Sequence, residues 1–442
     1  LTYRSHIIYM QDMYNKYVSD LIGINVNDEL FIEIRYDYEK LSEIFNYWHL
    51  YRGFVELNNN KRIVGLSVYD ITGHTPVPLH DCELHYGFAE SGGLSDYNPV
   101  MFLNSVRISG EGTYFMDYLE PEGFLPLGSL GVDVWGYPTG EEVYEPAYMG
   151  NRHPNFHYVR KGMLQKLIYP TGGFTSFEYE PNDFSATKAR GMEEPVIFTA
   201  RCKETTAGGV RISKIENYAS DTILASSREF LYKKDGRSSG ISHVLPYAIH
   251  AYSRNDPDYH LYPAVIPMHL SSCERTQFGD QMQYSHVTEK FSDGSSILHN
   301  YTTNLENPDI SWDPDLCFTF FDSQPIDYES IDTRYSPKDI SRHNHRGKLL
   351  SQTYYDNDGN VVRDIEYVYP LLSELSYIED IEVNEKYKYL NKTYAGNYNP
   401  VQTLVTDYFG TGSIAARTYY KYNDLGQLER TSTQNEAGDS LI

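Results

Sequence analysis

The stretch Tyr355-Asp356-Asn357-Asp358-Gly359-Asn360-Val361-Val362 decides how this chain is read, because it returns in altered form as Tyr422-Asn423-Asp424-Leu425-Gly426-Gln427-Leu428. Each copy has a Tyr, an Asx-rich turn, a Gly, a polar residue and then an aliphatic. Asp and Asn start a turn by bonding their own backbone, and Gly supplies a positive φ without steric cost. Apolar and aromatic residues alternate on either side, so each copy reads as strand, turn, strand. Tyr355, Asp356 and Gly359 set one turn; Tyr422, Asn423 and Gly426 set the other.

Looser relatives lie upstream. Tyr169-Pro170-Thr171-Gly172-Gly173-Phe174 leads into the alternating run Thr175-Ser176-Phe177-Glu178-Tyr179, which makes Tyr169, Gly172 and Gly173 a third set of turn residues. Tyr232-Lys233-Lys234-Asp235-Gly236 and Phe291-Ser292-Asp293-Gly294 complete a series that begins at residues 169, 232, 291, 355 and 422, a nearly even spacing. A repeat of this kind asks which array is built before it asks which active site is present. The expected fold is mainly β, with repeated hairpins forming an extended or shell-like sheet and little helix.

Tyr supplies 42 of the 442 residues, several-fold above ordinary usage. Its ring packs on a half-wet pleated surface while its hydroxyl stays in water or on a partner, so a Tyr-rich sheet needs no thick aliphatic core. The net charge of −24 repels phosphate backbones, and no basic stripe interleaved with aromatics offsets it, which disfavours nucleic acid as a partner. No run of apolar residues is long enough to make a membrane-spanning helix. The chain opens on Leu1 and stops soon after a repeat copy, as expected of a piece of a longer polypeptide. Cys82, Cys202, Cys273 and Cys317 form no local pair, which leaves two alternatives, long-range disulfides or part-buried thiols.

Residues 1–160 differ in pattern from the remainder of the chain. Leu30 to Tyr38 places Ile32, Ile34, Tyr36 and Tyr38 on one face and Glu33, Arg35 and Asp37 on the other, a half-buried strand, and Lys61 to Asp70 reads as a second. Between them Leu41, Ile44, Phe45 and Trp48 sit at helical spacing. The Gly- and Pro-rich stretch from Pro121 to Pro154 reads as a long ordered loop closing this first region. Residues 161–442 form the hairpin array, with a loop-rich excursion near 307–339.

Several of these segments resemble blocks of RHS/YD-repeat proteins of the Bacteroidetes type. The stretch Leu164 to Glu180, containing Tyr169-Pro170-Thr171-Gly172-Gly173, is similar to one block, and Ala207 to Ile215, containing Gly208-Gly209-Val210-Arg211-Ile212, to the strand that comes after it in those proteins. Val134-Trp135-Gly136-Tyr137-Pro138-Thr139-Gly140 resembles a third block, departing from it at Pro138-Thr139, and Gly347 to Asp356 resembles later repeats. The resemblance implies large secreted or cell-surface proteins whose repeats wind into a β-sheet shell or filament. In some relatives the shell encloses a C-terminal toxin. The implied partner is therefore a C-terminal domain of the same longer polypeptide, or a surface partner.

Residues suited to chemistry are sparse. His343-Asn344-His345 would put two imidazoles on one face of a strand, a metal-compatible spacing, but no third ligand accompanies them and a solvated loop before Arg346-Gly347 is the better reading. His80-Asp81-Cys82-Glu83-Leu84-His85 gathers possible ligands within an alternating strand. Among 61 acidic residues, pairs such as Glu178/Glu180 and Glu141/Glu142 arise by chance, and glycoside hydrolysis needs two carboxyls at a fixed separation in a cleft. Asp235-Gly236, Asp293-Gly294 and Asp358-Gly359 fit turns better than calcium loops. Gly172-Gly173 and Gly208-Gly209 precede strands and make no phosphate loop. The expectation is no catalytic, cofactor-binding or metal residue, and a non-enzymatic scaffold for containment or display. The alternative is a carbohydrate- or protein-binding surface that uses exposed Tyr and Trp, with Trp48, Trp135 and Trp312 as candidates.

Overall fold

The computed structural model describes residues 2–9, 15–26, 29–37, 62–70, 77–89, 100–123, 131–133, 135–141, 153–190, 197–242, 248–251, 264–267, 282–307, 317–319, 342–371, 377–383, 387–394, 398–423, 426–435 and 440–441. Strands dominate them, and one sheet of 21 strands organises the chain. It begins as a meander in which each strand pairs antiparallel with its predecessor: Thr2–Tyr9, Asn15–Val26, Glu29–Asp37, Arg62–Asp70, Val77–Ala89, Val100–Ile108 and Gly112–Tyr118. The ladder Phe115↔Ile168 carries it across residue 160 into Leu164–Ile168, Phe174–Arg190, Ile197–Ser220 and Ile223–Leu231. It continues through His286–Phe291, Ser296–Tyr301, Leu349–Tyr355, Val361–Val368, Gln402–Phe409, Gly412–Tyr422, Leu428–Asn435 and Ser440–Leu441.

The repeat seen in the sequence is a defined hairpin turn. At residues 169, 291, 356 and 423 the first residue's N–H donates to the carbonyl four positions on, and the residue three positions on donates back to its carbonyl. The residue three on is Gly172, Gly294, Gly359 or Gly426, each with φ between 73° and 90°. This is a type I turn closed by a glycine in the left-handed region, a three-residue hairpin loop. Asp356 Oδ1 accepts from the N–H groups of Asp358 and Asn360, and Asn423 Oδ1 from that of Gln427. The unit at Tyr232 departs from the series: Lys234 pairs with Arg237 across a two-residue turn, Asp235 and Gly236, both with positive φ. A two-residue loop of type I′ needs both residues left-handed, and Asp-Gly supplies that.

Successive hairpins place their short turns (109–111, 169–173, 292–295 and 356–360) along one edge of the sheet, and the long connections leave from the opposite edge. That second edge holds most of the buried side chains. Among the described residues five hydrophobics are buried against sixteen polar or charged residues, an inverted ratio for an ordinary core. The hydrophobic cluster is Trp135, Phe184 and Ala207, with Tyr137 and Met282 against it.

Tertiary register also separates two faces in the later strands. Ile365, Tyr367, Thr403, Val405, Thr418 and Tyr420 share the more covered face, whereas Glu366, Val368, Arg417 and Tyr419 face outward. The described helices are a single turn, Phe156–Val159, capped by the Asn155 side chain, and the 3₁₀ turn His343–His345. The helix expected around Leu41 to Trp48 and most of the excursion near 307–339 lie outside the described residues.

Candidate functional site: a buried arginine and the tyrosines that close the hairpins

The longest hairpin, 174–190 against 197–220, carries the densest polar cluster. Its register shifts between Thr206 and Val210, so Ala207-Gly208-Gly209 bulges opposite Pro181 to Asp183. Glycine is required here: a Cβ on Gly209 would stand 2.8 Å from Asn182 Nδ2 and 2.9 Å from the Tyr137 ring, and its φ is 83°. The loop bearing Trp135 packs on this bulge, with Trp135 edge-on to Phe184 at 6.0 Å. Asp133 Oδ1 folds that loop by accepting from the N–H groups of Trp135 and Tyr137.

Beyond the bulge Arg211 reaches back across the ladder. Its Nε donates to Glu180 at 2.7 Å, and its two terminal nitrogens donate to both oxygens of Asp183 at 2.6 and 3.1 Å. The guanidinium carbon also lies 4.4 Å from the ring centre of Tyr232 and 4.8 Å from that of Tyr284. Burial works against the charge, but the hydrogen bonds Arg211 donates to Asp183 and Glu180 outweigh it and hold its pKa above the ordinary value. Burial pushes Tyr232 and Tyr284 up to about 12, so both are neutral phenols at physiological pH. Tyr284 accepts from the Asp183 N–H and donates to Asn182, which donates to the Gly208 carbonyl. Ser238 donates to Asp183 at 2.5 Å.

Chemically this is a crosslink. Each of the three guanidinium nitrogens donates to a carboxylate, and two tyrosine rings lie over the group. The segments joined are the two long strands, the chain at Tyr232 and Ser238, and Met282–Tyr284. The strand Gly240–Ser242 lies parallel to 174–190 at Ile241↔Ala186, and antiparallel to Met282–Tyr284.

A second recurring arrangement involves tyrosine. Six hydroxyls donate to a backbone carbonyl in the preceding arm of their hairpin: Tyr86 to Ile63, Tyr118 to Leu103, Tyr179 to Leu164, Tyr232 to Ile212, Tyr369 to Leu349 and Tyr422 to Pro400, all at 2.7–3.1 Å. These six ties close hairpins at the ends opposite their turns. At Tyr86, Tyr118 and Tyr422 the register with the next strand shifts by a bulge, which re-aims the side chain.

The structure places the sequence-derived candidates in separate settings. Tyr169, Gly172 and Gly173, Asp356 and Gly359, and Asn423 and Gly426 lie in short turns, Tyr355 ends a strand, and Tyr422 both ties one hairpin and precedes the next turn. His343 and His345 are not on a strand face. They belong to a 3₁₀ turn, and His345 is buried rather than solvated, edge-on to Tyr398 at 4.4 Å, its carbonyl accepting from Thr302 and Asn307. Trp135, a candidate for an exposed binding aromatic, is buried. Trp48 and Trp312 lie outside the described residues. Asp81 ion-pairs with Arg35 at 2.9 Å and accepts from Ser67, which holds its carboxyl below the usual range. Cys82 beside it is a free thiol whose pKa is raised by burial and then by Asp81. Glu180 serves Arg211, and the Asp293 and Asp356 carboxylates serve their own turns. Among the described residues no group of three or more His, Cys, Asp or Glu gathers to hold a metal, and no helix is long and apolar enough to cross a membrane.

Arg211, Asp183 and Tyr284 do not stand out in the sequence as a set. The signal there is partial: the blocks at 135–140, 164–180 and 207–215, far apart along the chain, pack together as one unit.

No protein-family model and no curated protein matches the sequence. Among solved structures, the chain is similar to TcdB2-TccC3 at TM-score 0.30 and 10% identity, covering 86% of this chain and 16% of that one. A second crystal structure, TcdB2-TccC3-TEV, gives TM-score 0.28 and 9% identity over 84% of this chain and 18% of that one. The Tc holotoxin pore of Photorhabdus luminescens gives 0.12 and 9%, over 92% and 20%. The chain thus spans less than a fifth of the first two, and TM-scores of this size do not establish a common fold.

Proposed function

We propose that this chain is a non-enzymatic structural body, part of the wall or surface array of an exported RHS/YD-repeat-like protein, serving to contain or display another domain. One observation carries the reading: the groups best suited to chemistry are spent on closing the sheet. Arg211 is bound by Glu180 and Asp183, and six tyrosine hydroxyls are bound to strand carbonyls. The export, and the identity of what is contained, rest on the resemblance in sequence.

A binding surface is the second reading, favoured by the exposure of Phe409 (63%) and Ile414 (61%) at the tip of the 402–422 hairpin. The burial of Trp135 counts against it. The test of the first reading is to screen the purified chain on glycans, esters and peptides, with and without divalent metals. No turnover is expected. Reproducible turnover abolished by a single Asp, Glu or His substitution, with folding intact, would overturn the scaffold.

A further inference from the structure

A row of polar side chains crosses five consecutive strands on one face of the sheet. Arg228 donates to Glu289 at 3.3 Å, and His299 Nε2 lies 3.4 Å from the other Glu289 oxygen. Gln352 Nε2 lies 3.2 Å from His299 Nδ1, and the Tyr367 hydroxyl donates to Gln352 Oε1 at 3.0 Å. The side chains of Glu289 and His299 are 13% and 14% exposed, so water does not readily replace these contacts.

We propose that this row is a pH-operated hydrogen-bond relay, in which protonation of His299 reverses the Gln352 amide and turns Tyr367 from donor to acceptor. The number of donors and acceptors along the row forces this outcome. As placed, every bond in the row points the same way, from Tyr367 through Gln352 and His299 toward Glu289, where Arg228 donates from the other side. That arrangement requires a neutral imidazole, with its proton on Nε2 facing the carboxylate and its Nδ1 lone pair accepting from the amide. A second proton, taken from solvent onto Nδ1, makes both ring nitrogens donors. The amide nitrogen of Gln352 then faces another donor across 3.2 Å.

Leaving that clash unrelieved costs more than rotating the amide by half a turn, which presents Oε1 to the imidazolium. The same rotation brings the amide N–H₂ to the Tyr367 oxygen. The phenol must now accept, and its own proton is displaced toward the next strand, where Thr403 is its register partner.

The titratable groups around His299 come from each neighbouring strand. Arg228 and Glu289 lie on one side, Tyr301 stacks at 6.2 Å, and Tyr354 and Tyr367 stand on the other side with Tyr420 beyond. Glu289 is the nearest anion, already shared with Arg228. The relay turns over when His299 takes up its second proton. The hydroxyl of Tyr367 reports the event two strands away.

The test uses the whole chain labelled with ¹⁵N on His and Gln, with signals assigned by their loss in His299→Gln and Gln352→Leu. The neutral ring should carry its proton on Nε2, and the Gln352 amide signals should shift with the same midpoint as the His299 ring. Glu289→Gln, checked for unchanged circular dichroism, should leave the two midpoints coinciding. An amide signal that stays still while His299 titrates would overturn the relay. So would a neutral ring protonated on Nδ1, or midpoints that separate in Glu289→Gln.

Discussion

Replacing Tyr369 with Phe removes one hydroxyl and little else. That hydroxyl donates to the Leu349 carbonyl at 3.0 Å, at the first residue of its strand. The ring stays in place, because it stacks on Tyr398 with centroids 5.0 Å apart and planes 20° from parallel. Burial has pushed this phenol up to about 12, so the group lost is a neutral donor in a half-dry setting. Deleting a buried donor costs the net bond plus part of the desolvation of the orphaned carbonyl, about 1–2 kcal/mol. Tyr419→Phe is the matched control, since Tyr419 points outward and is 37% exposed; its change should stay within about 0.5 kcal/mol. Tyr118→Phe lies in a distant hairpin, so the Tyr118→Phe/Tyr369→Phe double variant should add to roughly 2–4 kcal/mol. Against a typical stability of about 5–15 kcal/mol that is a large fraction. Urea denaturation gives the midpoints, and hydrogen exchange should show faster opening at the 349 end of the hairpin than at its turn. If Tyr369→Phe matches Tyr419→Phe in both readouts, the tyrosine ties contribute nothing and the reasoning fails.

Two glycines should respond differently to alanine: Gly359, with φ 82° and open space around a new Cβ, should cost about 1 kcal/mol, while Gly209 should cost about 2–3 kcal/mol because the Cβ also meets Asn182 and Tyr137. Equal midpoints would contradict the close packing at the bulge. Arg211→Met should destabilise by about 3 kcal/mol, since it leaves the Asp183 and Glu180 carboxylates uncompensated, and adding Asp183→Asn should recover part of the loss in chemical denaturation. The pH dependence at the alkaline end comes from Tyr232, Tyr284 and Tyr369, whose folded values of about 12 lie above the ordinary 10.0. A raised folded value gives stability that is whole below the unfolded value and lost as pH rises through the folded one. Stability should therefore fall between about pH 10 and 12, by on the order of 2 kcal/mol per tyrosine. Tyrosinate absorbance should show a late-titrating class that disappears in urea.

How far the fold can be read from residues depends on how local its determinants are. Asp356, Gly359, Asn423 and Gly426 act within five residues, so their turns are legible, and so are the alternating strands at Glu29–Asp37 and Arg62–Asp70. Tyrosine abundance points to a half-wet sheet but not to the ties, because Tyr369 and Leu349 meet only after the hairpin has formed. Trp135 reads as a surface aromatic because its loop is rich in Gly and Pro, yet those residues let the loop fold over the 207–209 bulge. Arg211 is equally opaque: an arginine in an alternating strand reads as solvated until Asp183 and Tyr284 arrive from distant positions. The imidazole of His345 obeys the same rule, since a 3₁₀ turn and a Tyr398 contact are invisible in His-Asn-His.

The central claim is that this sheet is wall rather than machine. Cryo-electron microscopy of the full-length polypeptide in which the sequence occurs tests it most directly. The account predicts that flanking repeats continue the antiparallel ladder from Thr2–Tyr9 and Ser440–Leu441 into a wall around, or a support for, a separate domain. A free-standing module whose Arg211 and tyrosines rearrange to line an occupied substrate cleft would contradict it.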